Sequence, residues 1–456
     1  MHNSSIAPTG REHSPLPSEG IQPLQGAFRL LMPEIQRALS SKGYSIPTPI
    51  QEQCILPLLE GRDMLGAAQT GTGKTAAFTL PILQNLSKDK QRPRRGAPRA
   101  LVLSPTRELA AQIGASIEAY GKNLCLSHTV IFGGVNQNPQ VRALNRGIDI
   151  LVATPGRLLD LMQQGYLSLE AVDTFVLDEV DRMLDMGFIP DVKRILSRLP
   201  EKRQTLFFSA TMPPKMVELA QGMVRNPVRV TIEPDKPAVE RIKQKVMFVA
   251  KPDKDKLLAE VLSAPGIKKA IVFTQMKHVA NKVVRKLEGV GIKATAIHGN
   301  KSQAARTKSL DGFKGGQFQV LVATDVAARG LDVDHVSHVV NYDLPNEAET
   351  YVHRIGRTAR AGSSGDAISF CSAEEKGLLL DIERLLKKPV PRHADHGFHC
   401  EEASNATRSS KPQKSLGRPP RSQSQGGGGN HARPTQKPKR PFRKFRNRKG
   451  RHGVAG

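Results

Sequence analysis

The segment Ala68–Thr75, AQTGTGKT, constrains this chain more than any other stretch. It lies between a short apolar run, Asp63–Gly66, and a helical pattern, Thr75–Leu86. A glycine-rich turn closing on Lys-Thr between a strand and a helix is the arrangement of a phosphate-binding loop. Glycines let backbone N–H groups close around phosphate oxygens, and the helix N-terminus adds the positive end of its dipole. On this reading Thr70, Gly71, Thr72 and Gly73 line the phosphates. Lys74 reaches the β- and γ-phosphates, and the Thr75 hydroxyl takes Mg²⁺. Ala68 stands where the general pattern has its first glycine.

Val176–Asp181, VLDEVD, ends a hydrophobic run in acids. The carboxyl ends of parallel strands are where α/β sheets bind ligands. Asp178 suits Mg²⁺ coordination through water, and Glu179 suits orienting and deprotonating an attacking water. With the phosphate loop about a hundred residues earlier, the pair reads as the site of a nucleoside triphosphatase.

The remainder of the chain supplies a scaffold of the matching kind. Short β-branched runs alternate with helical patterns from about residue 25 to 390. The candidate strands are Ala100–Ser104, Thr129–Phe132, Ile148–Ala153, Thr174–Leu177 and Gln204–Ser209. A second set comprises Ala270–Thr274, Ala294–Ile297, Gln319–Ala323, His338–Asn341 and Ala367–Cys371. This is an α/β pattern of βα units around parallel sheets. The charged, proline-bearing Glu233–Glu240 separates the two sets as a linker. The expected organisation is a disordered leader (1–24), a nucleotide-binding domain (25–232), the linker (233–240), a second domain (241–392) and a disordered basic tail (393–456).

The tail follows from charge. The net charge is +26, and residues 401–456 carry 15 Lys and Arg against 2 acids, half of that excess. Lys437–Arg451 holds nine basic residues in fifteen, interrupted by Phe442 and Phe445. Such a segment cannot repay the entropy of ordering. Its partner is polyanionic, nucleic acid or an anionic membrane surface, and RNA tethering with base stacking is the reading its aromatics favour. No run approaches the roughly 18 apolar residues of a membrane span, and the polar Met1–Gly20 has no signal-peptide core. The four cysteines lie far apart in no metal-ligand spacing, which fits a reducing compartment.

From Phe28 to Arg392 the motifs occur in the order of DEAD-box RNA helicases of superfamily 2, and the chain resembles that family. Gly43–Gln51, GYSIPTPIQ, resembles its Q motif; the Gln51 carboxamide offers adenine one donor and one acceptor, so the resemblance implies ATP. The upstream aromatic, Phe28, stands closer to this motif than the family spacing. Pro105–Leu109 (PTREL), Gly133-Gly134 and Thr154–Arg157 (TPGR) resemble RNA-contacting motifs. Pro105, Thr106, Arg107, Gly134, Thr154, Gly156 and Arg157 are then backbone contacts, reading phosphate and sugar rather than sequence. Ser209–Thr211, SAT, resembles the motif that links hydrolysis to strand separation, with Ser209 and Thr211 hydroxyls bonding Asp181 or its neighbours.

In the second domain Ala323–Asp332 (ATDVAARGLD) and Tyr351–Arg360 (YVHRIGRTAR) match family motifs. The resemblance assigns Arg354 and Arg357 to the γ-phosphate, with Arg357 as arginine finger, and Gly330 and Asp332 to the nucleotide. It gives Thr324, Gln303 and Arg306 to RNA. Ala296–Leu310 and Ile382–Arg392 resemble the bacterial RhlE-like branch. Three positions depart from the family: Val180 for Ala, Ala359 for Gly, and Met276 for Thr. The resemblance implies two RecA-like parallel-sheet domains in tandem, ATP and Mg²⁺ as cofactors, and RNA as partner. It also implies an RNA-stimulated ATPase, cytoplasmic and monomeric, unwinding RNA or remodelling RNA–protein complexes, with ribosome-assembly or RNA-decay proteins as candidate partners and no membrane. Two other classes stay open: an RNA-binding chaperone with weak ATPase, and a DNA-directed superfamily 2 motor.

Overall fold

The computed structural model describes residues 23–407, apart from Thr70, Lys90, Pro213, 234–241, 329–332, 334–335 and 360–364. Most of the expected leader, all but Glu233 of the linker and the tail beyond residue 407 therefore lie outside the described residues.

The first lobe is a seven-stranded, all-parallel sheet built from β1 (Met64–Ala67), β2 (Ala100–Leu103), β3 (His128–Ile131), β4 (Ile150–Ala153), β5 (Thr174–Leu177), β6 (Gln204–Ser209) and β7 (Val228–Thr231). Its order is β3-β4-β2-β5-β6-β1-β7. Every residue of β1, β2, β4 and β5 is buried, as central parallel strands with helices on both faces require. The two-residue period divides the core. Val102, Val176 and Phe208 pack on one face, while Leu101, Leu103, Phe175 and Phe207 pack on the other. Burying each such side chain contributes about 1.5–3 kcal/mol. Val180 joins the second of these clusters, fully buried, so its extra bulk over Ala is taken up in packing.

The second lobe is a six-stranded parallel sheet of β8 (Ile242–Phe248), β9 (Ala270–Phe273), β10 (Ala294–Ile297), β11 (Val320–Ala323), β12 (His338–Asn341) and β13 (Gly365–Cys371), in the order β10-β11-β9-β12-β13-β8. The same alternation splits its core, with Val272 on one face and Ile271 and Phe273 on the other.

The ten strands expected from sequence are all present, with ends shifted by at most two residues. Two strands escaped the sequence pattern, β7 and β8. Both are edge strands whose sequences, VRVT and IKQKVMF, carry polar residues that break up any apolar run. One boundary is corrected. Residues 393–407, assigned from composition to the disordered tail, pack on the second lobe. The His393 N–H donates to Val246 O (2.9 Å), the Cys400 N–H donates to Phe248 O (3.1 Å), and a short helix, Glu401–Asn405, buries Ala403 completely. The segment supplies backbone partners to the C-terminal half of β8, and Phe398 adds to the core beneath it. Its apolar anchors are few and spaced among polar residues, so average hydropathy hides them.

Candidate nucleotide-binding site and nucleic-acid interface

The strand order sets the carboxyl ends of β4, β2, β5, β6 and β1 in one row. Thr154, Ser104, Asp178, Ala210 and Ala68 follow those ends, so the separate sequence motifs become neighbours along one edge. Above it lies a cavity of about 400 Å³. Gln51, Gly71, Gly73, Lys74, Thr75, Asp178 and Glu179 line it from the first lobe, and Arg357 from the second.

The loop after β1 enters the helix Lys74–Lys88 through Gly73, at φ +95°. A side chain there would be strained, and its Cβ would lie 2.4 Å from Gln51 Nε2. That close approach seats the Q-motif glutamine on the phosphate loop. Gln51 Nε2 donates to Gly73 O (3.2 Å), while its Oε1 accepts from the Thr48 N–H (2.9 Å) in a capping box. One N–H and one lone pair of the carboxamide remain, the pair of functions an adenine edge needs. Thr72 bonds Gln69 O (2.8 Å), and the buried Lys74 ammonium donates to Ala68 O. Phe28 is 2% exposed and sits in the core, whereas Tyr44 is 48% exposed at the cavity wall beside Tyr120. Tyr44, which lies inside the Gly43–Gln51 motif but was not singled out there, is the aromatic open to a ligand. Thr70, Gly330 and Asp332 lie outside the described residues.

Asp178 and Glu179 are both nearly fully buried at the end of β5. Asp178 Oδ1 has no hydrogen-bond partner among the described residues. Burial, with Glu179 beside it, pushes the Asp178 carboxyl up to about 7 against the pull of Lys74 and Arg182. A divalent cation fits both facts: it would give the orphaned oxygen a partner and restore the charged carboxylate. Glu179 has φ +55°, the left-handed region, at a cost of about 1–2 kcal/mol for a side chain with a Cβ. Its carboxylate accepts from Arg182, one turn along the helix Val180–Asp185. Arg182 is a second site residue that the motifs alone did not reveal.

The link to the SAT segment differs from expectation. Asp181 Oδ2 accepts from the backbone N–H of Ala210 (3.0 Å), not from a hydroxyl. Ser209 Oγ is buried without a described partner, and Thr211 is exposed. The bond is made by the backbone amide of Ala210, the residue that follows β6.

In the second lobe the two expected arginines part ways. Arg354 is buried under the sheet edge, its Nη2 donating to Asp325 Oδ2 (2.8 Å), its Nη1 to Asn341 Oδ1 (3.2 Å) and Asp343 O (2.6 Å). Its guanidinium lies over the Phe273 ring (5.0 Å). Arg357 instead faces the cavity. Ala359 adopts φ +54°, the conformation glycine would take without strain.

The RNA-motif residues gather at the rim between the lobes. Gly134, at φ +76°, lies so close to Arg107 that a Cβ would meet Nη1 at 2.1 Å. Arg107 Nη1 reaches Gln303 Oε1 at 3.5 Å across the gap. Glu108, which sequence alone did not single out as a contact, accepts from Gln303 Nε2 (3.1 Å) and Arg306 Nε (2.9 Å). Thr106 caps the helix Arg107–Gly121 by accepting from the Leu109 N–H (3.3 Å). Pro105 and Thr106 are buried, while Gly156 is exposed at the start of the helix Pro155–Gln163. Thr154 precedes that helix and Thr324 precedes the short helix Asp325–Ala328, both half-buried. Arg157 bonds Gln140 and the Val135 carbonyl. Burial, then the charge of Arg306, pulls Arg107 below the ordinary guanidinium range. Met276 is 55% exposed. Among the described residues no helix is long and apolar enough to cross a membrane.

Residues 48–219 match the DEAD/DEAH box helicase family, and residues 253–362 match the helicase conserved C-terminal domain. The chain is 44% identical over 366 residues to the ATP-dependent RNA helicase DeaD of Buchnera aphidicola (subsp. Acyrthosiphon pisum), covering 80% of this chain and 60% of that one. It thus spans little more than half the length of its DeaD relatives. With the ATP-dependent RNA helicase RhlB of Shewanella sp. (strain W3-18-1) it shares 39% identity over 416 residues, 86% of this chain and 95% of the other. Among solved structures, Saccharomyces cerevisiae Dbp5 bound to RNA and ADP BeF3 aligns at TM-score 0.69 and 33% identity, over 80% of this chain and 94% of that one.

Proposed function

The chain belongs to the DEAD/DEAH box helicase family, and from that premise we propose that it is an ATP-dependent RNA helicase, hydrolysing ATP in an RNA-stimulated way and locally unwinding RNA duplexes or remodelling RNA–protein complexes. One observation carries the reading. Two buried acids at the end of β5 share a single cavity with a phosphate-loop lysine from their own lobe and an arginine from the other.

In this mechanism Gln51 selects adenine and the loop Gly71–Thr75 holds the phosphates, with Lys74 leaving the Ala68 carbonyl for the β- and γ-oxygens. Thr75 and Asp178 hold Mg²⁺, which supplies charge neutralisation on the phosphates when bound. Glu179 orients and deprotonates the attacking water. Arg357 meets the charge developing on the transferred phosphoryl group. RNA lies along the rim of Arg107, Gly134, Thr154, Arg157, Gln303, Arg306 and Thr324, contacted through its backbone. The site is complete only when both lobes approach, so RNA bridging the rim and ATP bridging the cavity favour the same state. Their affinities are then coupled reciprocally. Asp181, through Ala210, ties the acid-bearing helix to β6 and passes hydrolysis to the rim. The protein acts in the cytoplasm as a monomer, alongside ribosome-assembly or RNA-decay proteins.

Glu179→Gln tests the assignment of the base. ATP and RNA binding stay at parent levels while turnover falls by about 10²–10⁴. A variant that hydrolyses ATP at the parent rate removes Glu179 from the mechanism.

A further inference from the structure

The edge of the first sheet opposite the nucleotide carries a basic surface that the mechanism above does not use. Parallel strands have two distinct edges. The phosphate loop and RNA motifs follow the carboxyl ends, whereas the loop 89–99, Gly147 and the turn 165–168 lie at or before the amino ends of β2, β4 and β5. Four-residue strands separate the two edges by about 13 Å.

Arg92, Arg94 and Arg95 are exposed on that loop. The loop is held in place by its backbone. The Gly96 N–H donates to Leu144 O (3.0 Å), and Gly96 O accepts from the Ser168 N–H (2.8 Å). A Cβ on Gly147 would lie 2.7 Å from Pro93 O, and one on Gly96 would lie 2.7 Å from Tyr166 O. These contacts bring two more groups to the same edge. Arg146, exposed, ends the helix Asn138–Arg146 just before Gly147, and Tyr166 is 38% exposed. None of these four arginine side chains makes an ion pair or hydrogen bond with a described residue. Nearby carboxylates are engaged elsewhere: Asp149 is buried against Arg99 (2.7 Å), and Asp89 also turns to Arg99 (3.8 Å). Some exposed arginines elsewhere in this lobe find acids, as Arg37 does with Glu34 and Arg194 with Asp191, but they lie singly, whereas here three unpaired arginines share one short loop and a fourth adjoins it.

We propose that this arginine edge is a second RNA-docking surface, gripping the sugar-phosphate backbone of RNA that extends beyond the cleft. Planar guanidinium forks match phosphate, and an exposed tyrosine among them gives a base a face to stack on. The loop is pre-ordered, so little entropy is lost when it binds. The inference rests on RNA being the polyanion of the proposed function. It adds a site that prefers long or structured RNA over a strand that only fills the cleft.

The test uses the full chain and its Arg92→Gln/Arg94→Gln/Arg95→Gln variant. Each is titrated at several salt concentrations with single-stranded RNA of about ten and of about forty nucleotides. In the variant, affinity for the long RNA drops about tenfold and its log–log salt slope shrinks by about 2, three lost contacts at about 0.7 each. Affinity for the short RNA, and ATP turnover stimulated by it, stay at parent values, which also shows that the fold is intact. Tyr166→Ala weakens the long RNA alone. Unchanged long-RNA affinity and slope in both variants overturns the proposal, as does an equal loss on both RNAs. A parent chain that binds neither RNA overturns the helicase reading instead.

Discussion

Arg354 and Arg357 lie one helical turn apart in the same motif, yet the structure gives them different surroundings. Arg354 is a buried structural cation, tied to Asp325, Asn341 and the Asp343 carbonyl, while Arg357 faces the nucleotide cavity. Arg357→Ala therefore lowers RNA-stimulated turnover by about 10³ or more, with a smaller loss of stability than Arg354→Ala. Arg354→Ala costs about 3 kcal/mol by leaving Asp325 without its partner, and turnover falls with it. Urea denaturation beside steady-state turnover separates the two; equal destabilisation by both substitutions would contradict the division. The spacing HRIGR could not make this distinction, because it depends on Asp325 arriving from another strand end. Lys74, Asp178 and Glu179 were legible for the opposite reason: their chemistry is local to a turn or a strand end. Glu108 was not, since its partners Gln303 and Arg306 are 195 and 198 residues away.

At the scale of elements, most strands declared themselves through short apolar runs, and two of the four edge strands, β7 and β8, did not. β7 and β8 face a neighbour on one side only, so half their residues are polar and no period stands out. The packing of residues 393–407 is a consequence of that edge. β8 runs beside β13 along one side, and over its C-terminal half it bonds the returning chain at Val246 and Phe248. Two truncations follow. A chain ending at residue 407 keeps the thermal midpoint of the full protein. One ending at 392 exposes Phe248 and melts several degrees lower, about 2–4 °C per kcal/mol for a lobe of this size. Matching midpoints for the two would show that the segment contributes nothing to the lobe. The shorter tail also reports on charge: ending at 407 removes the nine basic residues of Lys437–Arg451 and flattens the salt dependence of RNA binding.

For the whole molecule, function depends on two lobes that each carry part of one site. The first lobe holds the glycine-rich loop and the acids; Arg357 and, in the proposed RNA rim, Gln303, Arg306 and Thr324 come from the second. Under the proposed function RNA adds to the Arg107–Gln303 and Glu108–Arg306 contacts that already cross the gap, so turnover is slower without it. The tandem α/β plan and the charge asymmetry could be read from sequence, because parallel strands and basic tails have strong compositional signatures. The cross-lobe contacts could not, being products of the assembled fold. The most direct measurement is steady-state ATP turnover without nucleic acid, with single-stranded RNA, and with DNA of the same sequence, beside Lys74→Ala as control. Strong stimulation by RNA alone, abolished in Lys74→Ala, is the predicted result. RNA binding without stimulated turnover, or equal stimulation by DNA, would contradict it.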